Sequence, residues 1–164
     1  MNPVIRQRLP LWLLLIAIAV GGSLLFGAAM GCVAPELDAL RAAWWFTLSA
    51  GFAWLVFIPA VARVFRVAFA ESLHVSLLTM ASGEAVLVLA ALANLGIGAT
   101  TWLPGTPLLA AEVALSNIVM AGAFAALLRR RGVRVVHSLA AWMLGLNGIG
   151  AVSFLILHRR LVAP

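Results

Sequence analysis

The chain has 164 residues, 65% of them hydrophobic and only 10% charged, with a mean hydropathy of +1.13. A soluble fold of this size cannot hide that much apolar surface, because surface grows too fast relative to volume. The net charge of +6 is carried by arginine alone, and the arginines cluster at the ends of apolar runs, as topology signals do rather than nucleic-acid contacts.

With lipid as the outer solvent, spanning segments must be helices or a closed barrel. The apolar runs are continuous and lack a barrel strand's alternation, so the chain is expected to be all-α, a polytopic transmembrane helical bundle in a single integral membrane domain. Five spans are expected, at about 9–30, 42–62, 73–99, 107–128 and 135–157. The number falls to four if an end segment does not cross or is cleaved.

The first run follows MNPVIRQR and reads either as a span or as a signal peptide. Its length exceeds the usual signal, which favours a retained span. The segment Ala29–Cys32, AMGC, only partly matches a lipidation site at Cys32. Cys32 is the single cysteine, so no intrachain disulfide is possible and pairing says nothing of redox compartment. Ser23, Gly27 and Gly31 form a small-residue row suited to close helix approach. Trp12 is expected near the inner interface.

The second run opens with Trp44 and Trp45, suited to an outer aromatic belt together with Trp102. Trp54 lies deeper, as does Trp142 in the fifth run, and both are expected to pack between helices. Pro59 removes one backbone donor near the inner end of the second span.

The third run holds Glu84, the one charge between Ser76 and Gly98. Ionisable groups at bilayer depth are costly and usually face a bundle interior or a polar pathway. Apolar surroundings disfavour the charged form, so Glu84 is read as a protonatable group. The fourth run holds Glu112 near its outer end, with Ser116 one turn on along the same face. Asn94, Asn117 and Asn147 would extend an intramembrane polar set, although buried amides also bridge helices. Two successive membrane helices each bearing a glutamate resemble small proton-pathway subunits of complex I-like and multisubunit antiporter assemblies. The likeness is confined to Glu84 and Glu112 and carries over no residue role.

His74 and His137 fall at expected inner ends and are candidates for haem or metal ligation. Interfacial histidines occupy the same places without ligating anything. Gly122 with Ala126, and Ala141 with Gly145, are further small-residue rows, for packing within the chain or against a second copy. Arg129, Arg130, Arg131 and Arg134 are expected to anchor topology and to meet lipid headgroups. No internal repeat stands out.

With the N-terminus inside, the inner segments carry eight arginines and the outer segments three. The excess places the N-terminus in the cytoplasm and the C-terminus outside a cell inner (plasma) membrane. Arg159 and Arg160 are the discordant pair. No nucleophile–base set, CxxC, HExxH or P-loop occurs, so no catalytic residue is assigned. The expected function is a non-enzymatic membrane protein, either a small proton- or cation-linked carrier or the membrane subunit of a larger complex. The alternatives are a structural or assembly factor without flux and a haem or metal protein using His74 and His137. Expected partners are the lipid bilayer and a second copy or other membrane subunits, with no nucleic acid.

Overall fold

The computed structural model describes residues 3–33, 39–97 and 107–150, with Val152 and Ile156 beyond them. Trp102, His158, Arg159, Arg160 and the side chains of Ser23, Gly27, Gly31, Cys32, Trp44, Trp45 and Asn94 lie outside the described set.

The described chain is all-helical. Five α-helices follow in order: α1 (Pro3–Val33), α2 (Ala39–Val64), α3 (Phe69–Ile97), α4 (Pro107–Arg129) and α5 (Val135–Ala141). A π-helical turn, Trp142–Asn147, continues α5. The helices cover the expected runs, with two differences. Helix α1 starts at Pro3, six residues before the apolar run at Leu9, a position proline suits, and it continues through Pro10 in its interior. The fifth run is not one regular α-helix. Its middle widens at Trp142–Asn147, where the Asn147 side chain donates a hydrogen bond to the Trp142 carbonyl at 3.4 Å.

End charges follow the helix dipoles. Glu71 lies in the first turn of α3, and Arg63 and Arg129 lie in the last turns of α2 and α4. Pro107 takes the first position of α4, as Pro3 does in α1.

The buried core is mainly apolar but also holds polar groups, while many large aliphatic side chains face outward. Ser72, Ser76, Thr79, Glu84, Ser116 and Ser138 are buried. Leu55, Leu89, Ile118, Val136 and Leu144 point outward, Leu55 at 73% and Leu144 at 82% exposure. Scattered exposed aliphatics are ordinary, but large ones on most helices, with hydroxyls and a carboxyl turned inward, suit an apolar surround. Two helical stretches, Phe69–Ala93 and Ala111–Arg129, are long and apolar enough to cross a membrane, with mean hydropathies of 1.9 and 1.8. Ala50–Val64 and Val135–Gly150 are shorter apolar helices.

The chain divides into two compact units. The first comprises residues 1–47 and 77–120, the second 48–76 and 121–164. In the first, α3 packs against α1 and α4. A Cβ built on Gly83 would fall 2.4 Å from Met120 Cγ and Sδ, so the missing side chain lets the methionine of α4 lie on the α3 backbone.

The second unit is built around four rings. Trp54 and Phe57 of α2, Phe124 of α4 and Trp142 at the π turn have centroids 5.4–5.9 Å apart in five edge-on or tilted pairs. Trp142 is 1% exposed and Phe124 fully buried. This meets the expectation that Trp54 and Trp142 pack between helices. Gly145 extends the cluster, since a Cβ there would fall 2.8 Å from Phe57 Cε2. By contrast Gly122 and Ala126 are exposed, with open space beside Gly122.

Two turns of the second unit share one design. After α2, Arg66 takes a left-handed conformation at φ 53°, and the Val67 N–H returns to the Ala62 carbonyl at 3.1 Å. After α4, Gly132 takes the same region at φ 81°, and the Val133 N–H returns to the Leu128 carbonyl at 3.2 Å. Both are Schellman closures. Each is followed six residues after its left-handed residue by a buried serine. Ser72 donates to the Ile58 carbonyl at 2.7 Å and Ser138 to the Arg134 carbonyl at 3.2 Å. The two caps thus share one backbone form. It is invisible in residue identity, because arginine and glycine fill the equivalent left-handed position.

The difference makes a prediction. A left-handed residue with a Cβ costs about 1–2 kcal/mol and glycine avoids that cost, so Arg66→Gly should stabilise the protein by about 1 kcal/mol and Gly132→Ala should destabilise it comparably. Thermal unfolding in mild detergent, followed by circular dichroism, checks both signs. A lower midpoint for Arg66→Gly would show that the arginine side chain outweighs its backbone strain.

Candidate functional site

Glu84 lies midway along α3, on the side lined by Thr79, Gly83, Leu87 and Ala91, all buried. Leu87 and Ala91, three and seven residues on, share the face of Glu84, while Thr79 and Gly83 line the adjoining face. The carboxyl is 7% exposed, and its Oε2 is enclosed. The enclosure comes from α1, where Gly22 stands directly opposite. A Cβ on Gly22 would fall 3.2 Å from Glu84 Cβ, 3.2 Å from Oε2 and 3.4 Å from Val88 Cγ2. Glycine at this point lets the α1 backbone approach the acid closely.

One residue before the acid, the Gly83 carbonyl accepts a hydrogen bond from Ser116 Oγ of α4 at 3.0 Å. Ser82 donates its hydroxyl to the Thr79 carbonyl at 2.6 Å. The contacts at Gly22 and Ser116 thus tie α1 and α4 to α3 around Glu84.

Glu112 and Asn117 belong to the same unit and are half-buried on α4. Glu112 precedes Ser116 by four residues, about 6 Å along the helix axis. The structure therefore places Ser116 against the backbone just before Glu84, with Glu112 one turn further along α4. The remaining polar positions stand elsewhere. Asn94 lies on α3 with its side chain outside the described residues. Asn147 is exposed, with its amide bonded to its own helix. His74 is half-buried in the second turn of α3 and His137 is exposed near the start of α5. Among the described residues no group of three or more histidine, cysteine, aspartate or glutamate side chains gathers in a metal-holding arrangement. Trp12 of α1 is buried.

The arginines expected to meet headgroups, Arg129, Arg130, Arg131 and Arg134, are exposed around the second of the paired turns. Arg131 also reaches across to Glu71 of α3, with Nη2 and Oε2 2.5 Å apart. An exposed pair of this kind contributes little stability, but it fixes the end of α4 beside the beginning of α3.

Two participants were not singled out by sequence. Gly22 had a signal in the Gly21–Gly22 pair inside an apolar run, but its glycine neighbours Gly27 and Gly31 formed a more regular row. Gly83 had one in SGE, directly beside the acid. No family model matches the chain, and no curated protein or solved structure matches it.

Proposed function

We propose that the chain is a multi-pass integral membrane protein of the cell inner membrane and acts as a small proton- or cation-linked carrier, alone or as the membrane subunit of a larger complex. Glu84 is its protonatable group. The reading rests chiefly on one observation: a carboxyl is enclosed between α1 and α3 at the point where Gly22 removes any intervening side chain. A group held there changes charge only when a proton or cation reaches it, and the change alters the fit of the two helices. Ser116 and Glu112 supply polar positions on α4 toward one end of the same unit.

The proposed topology has the N-terminus in the cytoplasm, with both basic turns on the cytoplasmic face. Arginine bias supports this, and so does the Glu71–Arg131 contact, which joins the region after the first turn to the second turn.

A structural or assembly role is the second reading. The observation favouring it is the same tight Gly22–Glu84 contact, which would serve as helix adhesion. Glu84→Gln separates the two, because it keeps shape and hydrogen bonding but cannot titrate. In proteoliposomes with an entrapped pH-sensitive dye, the variant should lose pH-driven flux to the level of empty vesicles while its helical content and elution stay normal. Undiminished flux would sink the carrier reading. Absence of flux in both proteins, together with normal assembly of the variant, would leave the structural reading.

A further inference from the structure

The second unit contains an apolar groove of about 200 Å³. Helix α2 lends Phe57, Ala60, Val61 and Val64, and the fifth helical run lends Ala141 and Gly145. At its lower end the groove reaches Phe65, the residue that leaves α2 for the first turn. Arg63 and Arg66 flank the lining residues Val64 and Phe65 in the chain, and Arg134 precedes α5, whose last residue, Ala141, lines the groove about two turns further on. All three are exposed.

Charge in this unit is one-sided. Its two segments hold eight arginines and a single acid, Glu71, which is bonded to Arg131. An apolar slot that opens onto uncompensated positive charge matches one chemistry: a hydrocarbon chain joined to an anionic head. From Phe57 to Val64 the groove runs seven residues, or about 10 Å along the helix. That length takes the upper part of an acyl chain, nearest its headgroup.

We propose that this groove is a binding site for one anionic phospholipid, its acyl chain lying along Phe57–Val64 and its phosphate held by Arg63, Arg66 and Arg134. The site rests on the membrane reading but is independent of Glu84. Gly145 is part of its design, since a side chain there would displace Phe57 from the groove wall. Zwitterionic lipids fit the slot equally well but carry no net charge for the arginines.

The test uses the full chain in mild detergent mixed with equal amounts of phosphatidylglycerol and phosphatidylcholine, with bound lipid read by native mass spectrometry. The protein should retain one phosphatidylglycerol in preference to phosphatidylcholine. Each arginine near a charged headgroup is worth about five-fold in binding. Arg134→Gln should therefore lower the preference about five-fold, and Arg66→Gly should do so while leaving the turn at least as stable. Ala60→Trp, a substitution at an exposed position, should fill the slot and remove both lipids. Equal retention of the two lipids, or retention unchanged in Ala60→Trp, would overturn the site. A lipid-free dimer that Ala60→Trp splits would give the groove to a second copy and overturn it as well. Glu84→Gln should bind lipid normally, so loss of the carrier reading alone leaves this result standing. A wild-type chain recovered in the soluble fraction would remove both.

Discussion

Trp142→Ala should lower the unfolding free energy by about 3 kcal/mol, the low end of the cost of removing a large buried aromatic side chain. The ring is 1% exposed and touches Trp54, Phe57 and Phe124 at centroid separations of 5.4–5.9 Å. In lipid the transfer part of the cost shrinks, because the unfolded reference is also apolar. The cavity part remains, since three rings lose a partner that no neighbour replaces. Met143 is the matched control, at 67% exposure on the next residue. Its replacement by alanine should change stability by less than about 0.5 kcal/mol. Near-ultraviolet circular dichroism during thermal unfolding reads both. Equal stability of the two variants would mean that the four rings are not the packing centre of the second unit.

Gly22→Leu should have the next largest effect, about 1–3 kcal/mol of destabilisation from overpacking. A Cβ alone falls 3.2 Å from Glu84 Cβ, and the branched side chain beyond it has Val88 in its way. Helix α1 must then move off α3 or Glu84 must change rotamer. Either response opens the enclosure of the carboxyl, so on the proposed carrier reading flux should fall with stability. Gly21→Leu is the neighbouring control, because a Cβ on Gly21 meets nothing within 4 Å. Detergent unfolding of the two variants side by side separates a specific contact from a general intolerance of α1 to bulk. Equal destabilisation would argue for the latter.

The helices were legible in sequence because their signal is long and redundant. Twenty apolar residues without a charge leave few alternatives at membrane depth. The positions of α2, α3 and α4 follow from it to within a few residues. The π turn at Trp142–Asn147 was not legible in the apolar pattern; in the structure Trp142 and Gly145 pack there against rings brought from α2 and α4. The paired turns were hidden for a different reason. Gly132 announces a left-handed cap, but Arg66 in the same conformation does not, and only the backbone reveals their equivalence.

The candidate site was half legible. Glu84 stands out because a lone acid in an apolar run is costly wherever it points. Its surroundings do not, since the residues that enclose it are glycines, whose contribution is the absence of a side chain. Ser116 was noticed as a companion of Glu112 on α4. Its bond to the Gly83 carbonyl makes it equally a companion of Glu84, and that contact spans thirty-three residues of chain. The basic turns were legible as charge, but the groove that reaches the first of them at Phe65 was not, because it needs α2 and the fifth run side by side.

The proposed topology is a lipid-solvated bundle with both basic turns on one membrane face. Ala68→Cys and Arg130→Cys, each in a Cys32→Ser background, place one reporter thiol in each turn. The measurement is labelling by a membrane-impermeant maleimide, applied first to intact cells and then to inverted membrane vesicles. Both thiols should resist labelling from outside and react in inverted vesicles. Labelling of the two turns from opposite faces, or of either from outside intact cells, would contradict the account.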